Sequence, residues 1–271
     1  MTSNHEIVRT RGGAIAVRSL VDDEVMHPGV GPLVEAELLY VRQSRLRERL
    51  AKEQDKPLVL FDIGLGAGSN AIAAWIAAHE TSEGRQLSLV SFERDLGALS
   101  LALDHADDFG IDTASAIAAR SLLDHGVYES RRVSWRLRHG EILDELAKED
   151  TLADIVFWDP FSPRHNRDLW TVAAFSAMRE KTAPGGTLFT YSASTATRVA
   201  MLLSGYAVGV GDAIGDKAFT TAAATHACDL ARPLDRAWLS RLSRPDVPLP
   251  PDATKDVANR IAGLPQFRDP R

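Results

Sequence analysis

The chain of 271 residues holds a single cysteine, Cys228, so an internal disulfide framework and a cysteine-built zinc site are both excluded. No apolar run approaches the roughly eighteen residues that a membrane-spanning helix needs. Its opening residues, Met1-Thr-Ser-Asn-His-Glu-Ile7, lack a basic stretch followed by an apolar one, so no secretory signal is expected. Together these absences predict a cytoplasmic protein. Positive charge is also short. Lysine and arginine total 31 against 37 acids, a formal net charge of −6, which weighs against broad nonspecific binding to nucleic acid. Two local clusters stand against that deficit: Arg42, Arg45, Arg47, Arg49 and Lys52, and then Arg131, Arg132, Arg136 and Arg138. They read first as solvated faces of a helix and a strand, and second as phosphate contacts.

What is present is an ordinary globular composition, 45% hydrophobic and 25% charged, enough for one large α/β domain with elaborations. Residues 7–20 alternate around Gly12 and Gly13 like a small hairpin. Leu38, Leu39, Val41, Leu46 and Leu50 form a helical apolar stripe. Strand patterns follow at 58–63, 87–93, 133–139, 153–159, 187–191, 206–210 and 218–224. Helical patterns separate them, with 95–130 reading as helices around a polar turn. This alternation predicts an α/β, Rossmann-like fold with a mostly parallel seven-stranded sheet that ends in an antiparallel pair. The expected division is an N-terminal extension at 1–56, a main domain at 57–228 and a proline-rich tail at 229–271. In that tail Pro245, Pro248, Pro250 and Pro251 precede a short helix over 254–262. His27 reads as a turn or packing residue, and Cys228 as an inert buried thiol.

Two segments carry the chemistry: Phe61-Asp-Ile-Gly-Leu-Gly-Ala-Gly-Ser-Asn70 and Val156-Phe-Trp-Asp-Pro-Phe-Ser-Pro163. Each is a buried strand ending on an acid and running into a tight loop. Ligands of open parallel sheets bind outside such strand ends. Gly64, Gly66 and Gly68 let the backbone turn sharply and approach a ligand closely, and the helix that follows favours an anionic group at its N-terminus. A dinucleotide fingerprint wants glycine or alanine where Ser69 stands. The strand-Asp-x-Gly-x-Gly-x-Gly pattern instead resembles motif I of class I S-adenosylmethionine-dependent methyltransferases.

Both cofactors ask for an acid at the end of the second strand to accept ribose hydroxyls, and Glu93 fits. The methyltransferase pattern implies a further acid near the adenine, supplied by Glu141. Asp62, Glu93, Glu141 and Asp159 thus end four strands. The bland reading is that such acids only cap helices. A rim of carboxylates suits a positive sulfonium and would repel a pyrophosphate, and no lysine or arginine lies within the glycine loop to offset that.

The run Phe157-Trp-Asp-Pro-Phe-Ser-Pro-Arg-His-Asn-Arg-Asp-Leu-Trp170 resembles the D-G-F-A-P-x-x-N-P-x-x-W signature of the MnmC-type tRNA methyltransferase domain. The likeness continues through Gly64-Leu-Gly-Ala-Gly-Ser-Asn70 (family G-F-G-T-G-L-N), Phe92-Glu-Arg94 (F-E-K) and Pro184-Gly-Gly-Thr-Leu188 (P-G-G-T-L). His27 to Tyr40, with Glu35, is similar to a segment that precedes the domain in stand-alone members. That family makes 5-methylaminomethyl-2-thiouridine at the tRNA wobble position. The resemblance implies a class I methyltransferase fold, S-adenosyl-L-methionine as cofactor with S-adenosylhomocysteine as product, no metal, and a tRNA substrate. The chain is too short for the flavin oxidase half of the bifunctional enzyme, so no flavin is expected.

Carried over residue by residue, the resemblance implies a cofactor site of Asp62, Gly64, Gly66, Gly68, Asn70, Glu93, Glu141 and Asp159. Asp159 is the catalytic candidate, orienting the acceptor amine. From the residues themselves, Phe161 is a candidate to stack on a base or ring, Arg164, His165 and Lys217 are either RNA phosphate contacts or ordinary surface charge, and Trp170 is either acceptor wall or core. Pro160 replaces the family's glycine, Arg167 replaces a proline, and the late basic loop is reduced here to 209–217 with Lys217 its only base. Other readings are a methyltransferase of the same fold acting on a small amine or protein, an NAD-dependent oxidoreductase, and a degenerate binding module.

Overall fold

The computed structural model describes residues 4–10, 12–213, 218–244, 246–254 and 256–268. The N-terminal segment is a small antiparallel sheet of β1 (His5–Arg9), β2 (Ile15–Ser19) and β3 (Glu24–Val25). Helix α1 (Pro32–Ala36) begins on a proline, whose fixed φ suits a first helical turn, and continues into a π-helical segment, Glu37–Arg42. Arg45, at φ 55°, then turns the chain into α2 (Leu46–Leu50). The predicted stripe is the buried side here: Leu39, Val41, Leu46 and Leu50 all face the core.

The main sheet has eight strands in the order β10-β11-β9-β8-β4-β5-β7-β6. Its centre is β4 (Leu58–Ile63), followed by α3 (Ser69–Glu80) and β5 (Leu87–Glu93). Next come α4 (Gly97–Asp104), α5 (Thr113–His125), β6 (Val127–Glu129), β7 (Val133–His139), α6 (Ile142–Lys148) and β8 (Ala153–Trp158). The chain closes with α7 (Val172–Glu180), β9 (Thr182–Thr190), α8 (Thr195–Leu203), β10 (Ala207–Gly211), β11 (Thr220–Ala224) and α9 (Val257–Ala262). Strand β4 pairs in parallel with β5 on one side and β8 on the other. The connections run outward in opposite directions from that pair, so the sheet's switch point lies between β4 and β8.

The sheet holds one strand more than the seven expected. Strand β6 lies in the stretch read as helices and pairs antiparallel with β7 at the edge. Gly126, at φ 73°, ends α5 in the left-handed conformation and turns the chain straight into it. Three residues are too few to show a period of two. Strand β9 starts at Thr182, ahead of the strand pattern at 187–191, and takes residues 183–186 in as a bulge: Ala153 pairs with Thr182, and Ile155 next pairs with Thr187.

Two apolar clusters cover the two faces. One gathers α3, α4, α5 and the N-terminal helices. The other gathers α6, α7, α8 and part of the tail, where Trp238, Val257, Ile261 and Phe267 are buried. The tail is tied down further by Asp252, which accepts from the Val172 and Ala173 amides, and by Gln266, which bonds Val208 both ways. Its helix starts at Val257, not 254, because Asp256 sits at φ 70°. Cys228 is exposed, contrary to the buried thiol expected, since a short 3-10 turn with no buried residue carries it over the surface.

Candidate active site

Beyond β4 the chain passes through Gly64, Gly66 and Gly68 at φ 87°, 52° and 85°, a left-handed region that glycine enters without strain. At Gly64 there is a second constraint. A Cβ there would lie 2.9 Å from the Asp159 carbonyl oxygen and 3.0 Å from Pro160 N and Cα. The glycine loop and the loop after β8 are therefore in backbone contact at the switch point. The Gly64 amide also donates to Phe92 O at 3.1 Å, and Asp159 N to Ile63 O at 2.9 Å. Glu93, at the end of β5, accepts from Gly66 N at 2.9 Å and from Arg94 N and Asp95 N.

These loops border a cleft of about 1270 Å³, above the usual range for one small ligand and so roomy enough for two. Gly64, Gly66, Glu93, Glu141, Asp159 and Phe161 all line it. Glu141 is an exposed rim residue leaning toward Arg94 at 3.8 Å. The remaining expected residues sit elsewhere. Asp62 is fully buried beneath the glycine loop, where Ser91 Oγ donates to it at 2.9 Å and Trp135 Nε1 donates to Ser91. Gly68 makes room for Leu99 and Ile72, since a Cβ there would come within 2.8 Å of Leu99 Cδ1. Asn70, in the first turn of α3, donates through Nδ2 to Asp159 Oδ2 at 2.6 Å, which aims the carboxylate. Arg164 is exposed, outside the cleft lining, and Lys217 lies outside the described residues.

Burial pushes the Asp62 carboxyl up to about 8; the Ser91 bond opposes this, and the negative charges of Asp159 and Glu93 add to it. Asp62 is therefore neutral at pH 7. Beside this buried neutral acid, the carboxylates of Glu93, Glu141 and Asp159 line the cleft, and such a rim stabilises a cation. With the glycine cradle and the acid at the end of β5, this donor set fits an adenosyl cofactor carrying a positive centre.

The loop after β8 is held by side chains from distant parts of the chain. Tyr191 OH donates to Pro160 O at 3.1 Å, and Trp170 Nε1 to Phe161 O at 2.8 Å. Glu24 of β3 accepts from Ser162 N at 3.1 Å and Ser162 Oγ at 2.8 Å, and pairs with His165 at 3.7 Å. Trp170 is thus buried support. With these carbonyls engaged, the Asp159 carboxylate is the acceptor the loop presents to the cleft. His27 Nε2 stands 3.4 Å from Asp159 Oδ2, and His27 Nδ1 stands 3.7 Å from Glu35 Oε2. His27 holds φ 51° and lines the cleft, so it belongs to the site, where the sequence had read a turn residue. Tyr40, fully buried, is held well above its ordinary value by burial and then by the Asp159 charge. Glu24, Tyr40 and Tyr191 give no local motif; only the resemblance of the 27–40 segment pointed toward this wall.

Most of the two arginine clusters have partners within the fold. Arg47 bonds Glu37 and Glu80, and Arg49 reaches Thr187 and the Asp154 carbonyl. Arg132 bonds the Ala78 and Gly84 carbonyls, while Arg136 and Arg138 pair with buried Glu149. These are structural ties. Nearer the cleft, exposed Arg167 lines the mouth.

Residues 115–226 match the S-adenosyl-L-methionine-dependent methyltransferase family. A bifunctional protein of tRNA 5-methylaminomethyl-2-thiouridine biosynthesis, MnmC of Pseudomonas fluorescens, is 29% identical over 209 residues, 74% of this chain and 32% of that protein. Its counterpart in an Azoarcus species is 30% identical over 202 residues, 72% of this chain and 32% of that one. The chain thus spans about a third of the length of these curated relatives. The crystal structure of MNMC2 from Aquifex aeolicus superposes with a TM-score of 0.76 at 25% identity, covering 96% of this chain and 85% of that one.

Proposed function

We propose that this chain, similar over about three quarters of its length to MnmC proteins, is an S-adenosyl-L-methionine-dependent methyltransferase of that type and methylates a primary amine, the 5-aminomethyl group of a tRNA wobble uridine. The observation that carries this reading is the backbone contact between Gly64 and Asp159–Pro160. It brings the glycine loop and the Asp159 loop together in one cleft, which supports reading them as a cofactor cradle beside an amine-accepting carboxylate. S-adenosyl-L-methionine, when bound, supplies an electrophilic methyl group on a positively charged sulfur. Gly64 and Gly66 would let it approach the backbone, Glu93 would take the ribose hydroxyls, and Glu141 would stand at the rim on the adenine side. Asp62 and Asn70 act from beneath, Asp62 through the charge it withholds and Asn70 by aiming Asp159.

Asp159 accepts a hydrogen bond from the amine, points its lone pair and stabilises the ammonium that develops. Phe161 offers a ring face at the same end of the cleft for the base. Holding the two reactants in line supplies much of the acceleration, since good positioning can be worth roughly 7–11 kcal/mol. Arg164, His165, Arg167 and Lys217 are the proposed phosphate contacts. Among the described residues no helix is long and apolar enough to cross a membrane, and a cytoplasmic location accords with a tRNA substrate.

A second reading, an amine on a protein or small molecule, is favoured by the net charge of −6 and by the arginines committed to internal pairs. Labelled S-adenosyl-L-methionine offered with total RNA and with total protein separates the two. The proposal expects label in small RNA. Label in protein alone would transfer the site to the second reading. Calorimetry that detects NAD but not S-adenosyl-L-methionine would remove both.

A further inference from the structure

An amine acceptor must lose a proton before it can attack. Alkylamines are largely protonated at pH 7, and a neighbouring carboxylate strengthens that preference. Asp159 alone therefore orients the acceptor well and deprotonates it poorly. An imidazole is better matched to that task. Resting on the amine-methylation reading above, we propose that His27 takes the acceptor's proton, through Asp159, and passes one on to Glu35.

The three groups form a continuous line from the cleft: Asp159 Oδ2, then His27 Nε2 at 3.4 Å, then from Nδ1 to Glu35 Oε2 at 3.7 Å. These spacings are those of ion pairs that close by a few tenths of an ångström, as catalytic contacts do when substrate arrives. Each end of the line is held. Asn70 fixes Asp159 at 2.6 Å, and the Gly29 amide fixes Glu35 Oε1 at 2.6 Å. Both His27 and Glu35 side chains are 15% exposed, shielded yet in touch with water. His27 also adopts φ 51°, a backbone state uncommon outside glycine and tolerated where the surroundings enforce it. Among the described residues, the titratable groups at this end include Asp62 of β4, which feels the His27 charge, Tyr40 of the π-helical segment, Tyr191 after β9, and Glu24 of β3 with His165 beside it.

The proton balance is complete. The ammonium N–H bond breaks and leaves its electron pair on nitrogen, which would form the new nitrogen–carbon bond as the methyl carbon–sulfur bond breaks and leaves its pair on sulfur in a neutral thioether. The proton moves across Asp159 to His27 Nε2. A proton leaves His27 Nδ1 for a Glu35 oxygen and then for water. Nothing is oxidised or reduced.

His27→Gly is the suitable variant, because glycine accepts φ 51° without strain. In single-turnover methylation of tRNA bearing 5-aminomethyluridine, the rate at pH 7 is expected to fall about 10²–10⁴-fold. That deficit shrinks as pH rises toward the amine's own range, and added imidazole restores rate at pH 7. Cofactor affinity, measured by calorimetry, stays within severalfold of wild type. Independently of turnover, nitrogen NMR of the ligand-free protein identifies His27 by its missing signal in His27→Gly. Its titration is expected to move to lower pH in Glu35→Gln. A loss equal at every pH without imidazole rescue, or a His27 titration indifferent to Glu35→Gln, overturns the proton path. A wild-type chain that binds the cofactor yet methylates no aminomethyluridine at any pH overturns the tRNA reading first, and the path with it.

Discussion

The two halves of the cleft are built by opposite means. On the cofactor side the shape comes from backbone: three left-handed glycines and amide bonds to Glu93 lie within or just beside one strand–loop–helix unit. On the acceptor side the loop after β8 has a turn of its own, with the His165 and Asn166 amides donating to Ser162 O, but its place over the cleft is set from outside. It is pinned by Glu24 from the N-terminal sheet, Tyr191 after β9 and Trp170 further along, with Asn70 and His27 aiming its carboxylate. The difference teaches where each kind of specificity resides. On the proposed function, cofactor recognition is local, whereas acceptor recognition depends on how the segment carrying Glu24 and His27 packs against the loop after β8. The acceptor side is therefore where members of this fold can diverge while keeping one cofactor.

Substitutions on each side ought to separate these roles. The largest effect is expected from Asp159→Ala, which keeps the fold and the cofactor but loses about 10²–10³-fold in turnover; rapid-quench rates beside a calorimetric titration measure both. Gly64→Ala breaks the comparison itself, because the new Cβ meets Asp159 O at 2.9 Å at a φ of 87°. It should cost about 2–4 kcal/mol of stability and damage cofactor binding and turnover together, as read from thermal melts and both assays.

The next concerns Asp62, whose carboxyl is raised from 3.8 to about 8. Below pH 4 folded and unfolded forms are both protonated and nothing is lost. As pH climbs toward 8 the unfolded chain releases a proton that the folded chain retains, so stability falls with pH. Asp62→Asn should flatten that slope and be the more stable protein by a few kcal/mol at pH 8. Denaturant melts at pH 5 and pH 8 would show it, and parallel slopes for the two proteins would rule it out. Smallest is Glu24→Gln, which weakens the clamp on Ser162. It should lower turnover about 3- to 10-fold, roughly 1 kcal/mol, with cofactor affinity unchanged.

The same contrast explains what was legible in the sequence. Strand β4 and its glycines announce themselves because buried parallel strands read as apolar runs and the turn demands glycine in a row. Asp159 is visible for the same reason, at the end of β8. Asp62 and Asn70 are also conspicuous in sequence, yet the fold places them under the cleft wall, since residues alternate faces along a strand and helix N-termini turn inward. His27, Glu24 and Tyr191 are opaque to local pattern: their partners lie far away in the chain, and only the folded sheet order brings them to Asp159. Strand β6 escaped for want of length, and the arginine clusters read as solvated faces because their acidic partners, Glu37, Glu80 and Glu149, are recruited only by tertiary packing.

The most direct measurement is transfer of a labelled methyl group from S-adenosyl-L-methionine to tRNA carrying 5-aminomethyl-2-thiouridine, by wild type and Asp159→Ala, with the nucleosides then resolved by mass. One labelled nucleoside, 5-methylaminomethyl-2-thiouridine, formed by wild type and reduced at least a hundredfold in the variant, is the expected result. Label at any other nucleoside, or equal label from both proteins, would contradict an acceptor site built on Asp159.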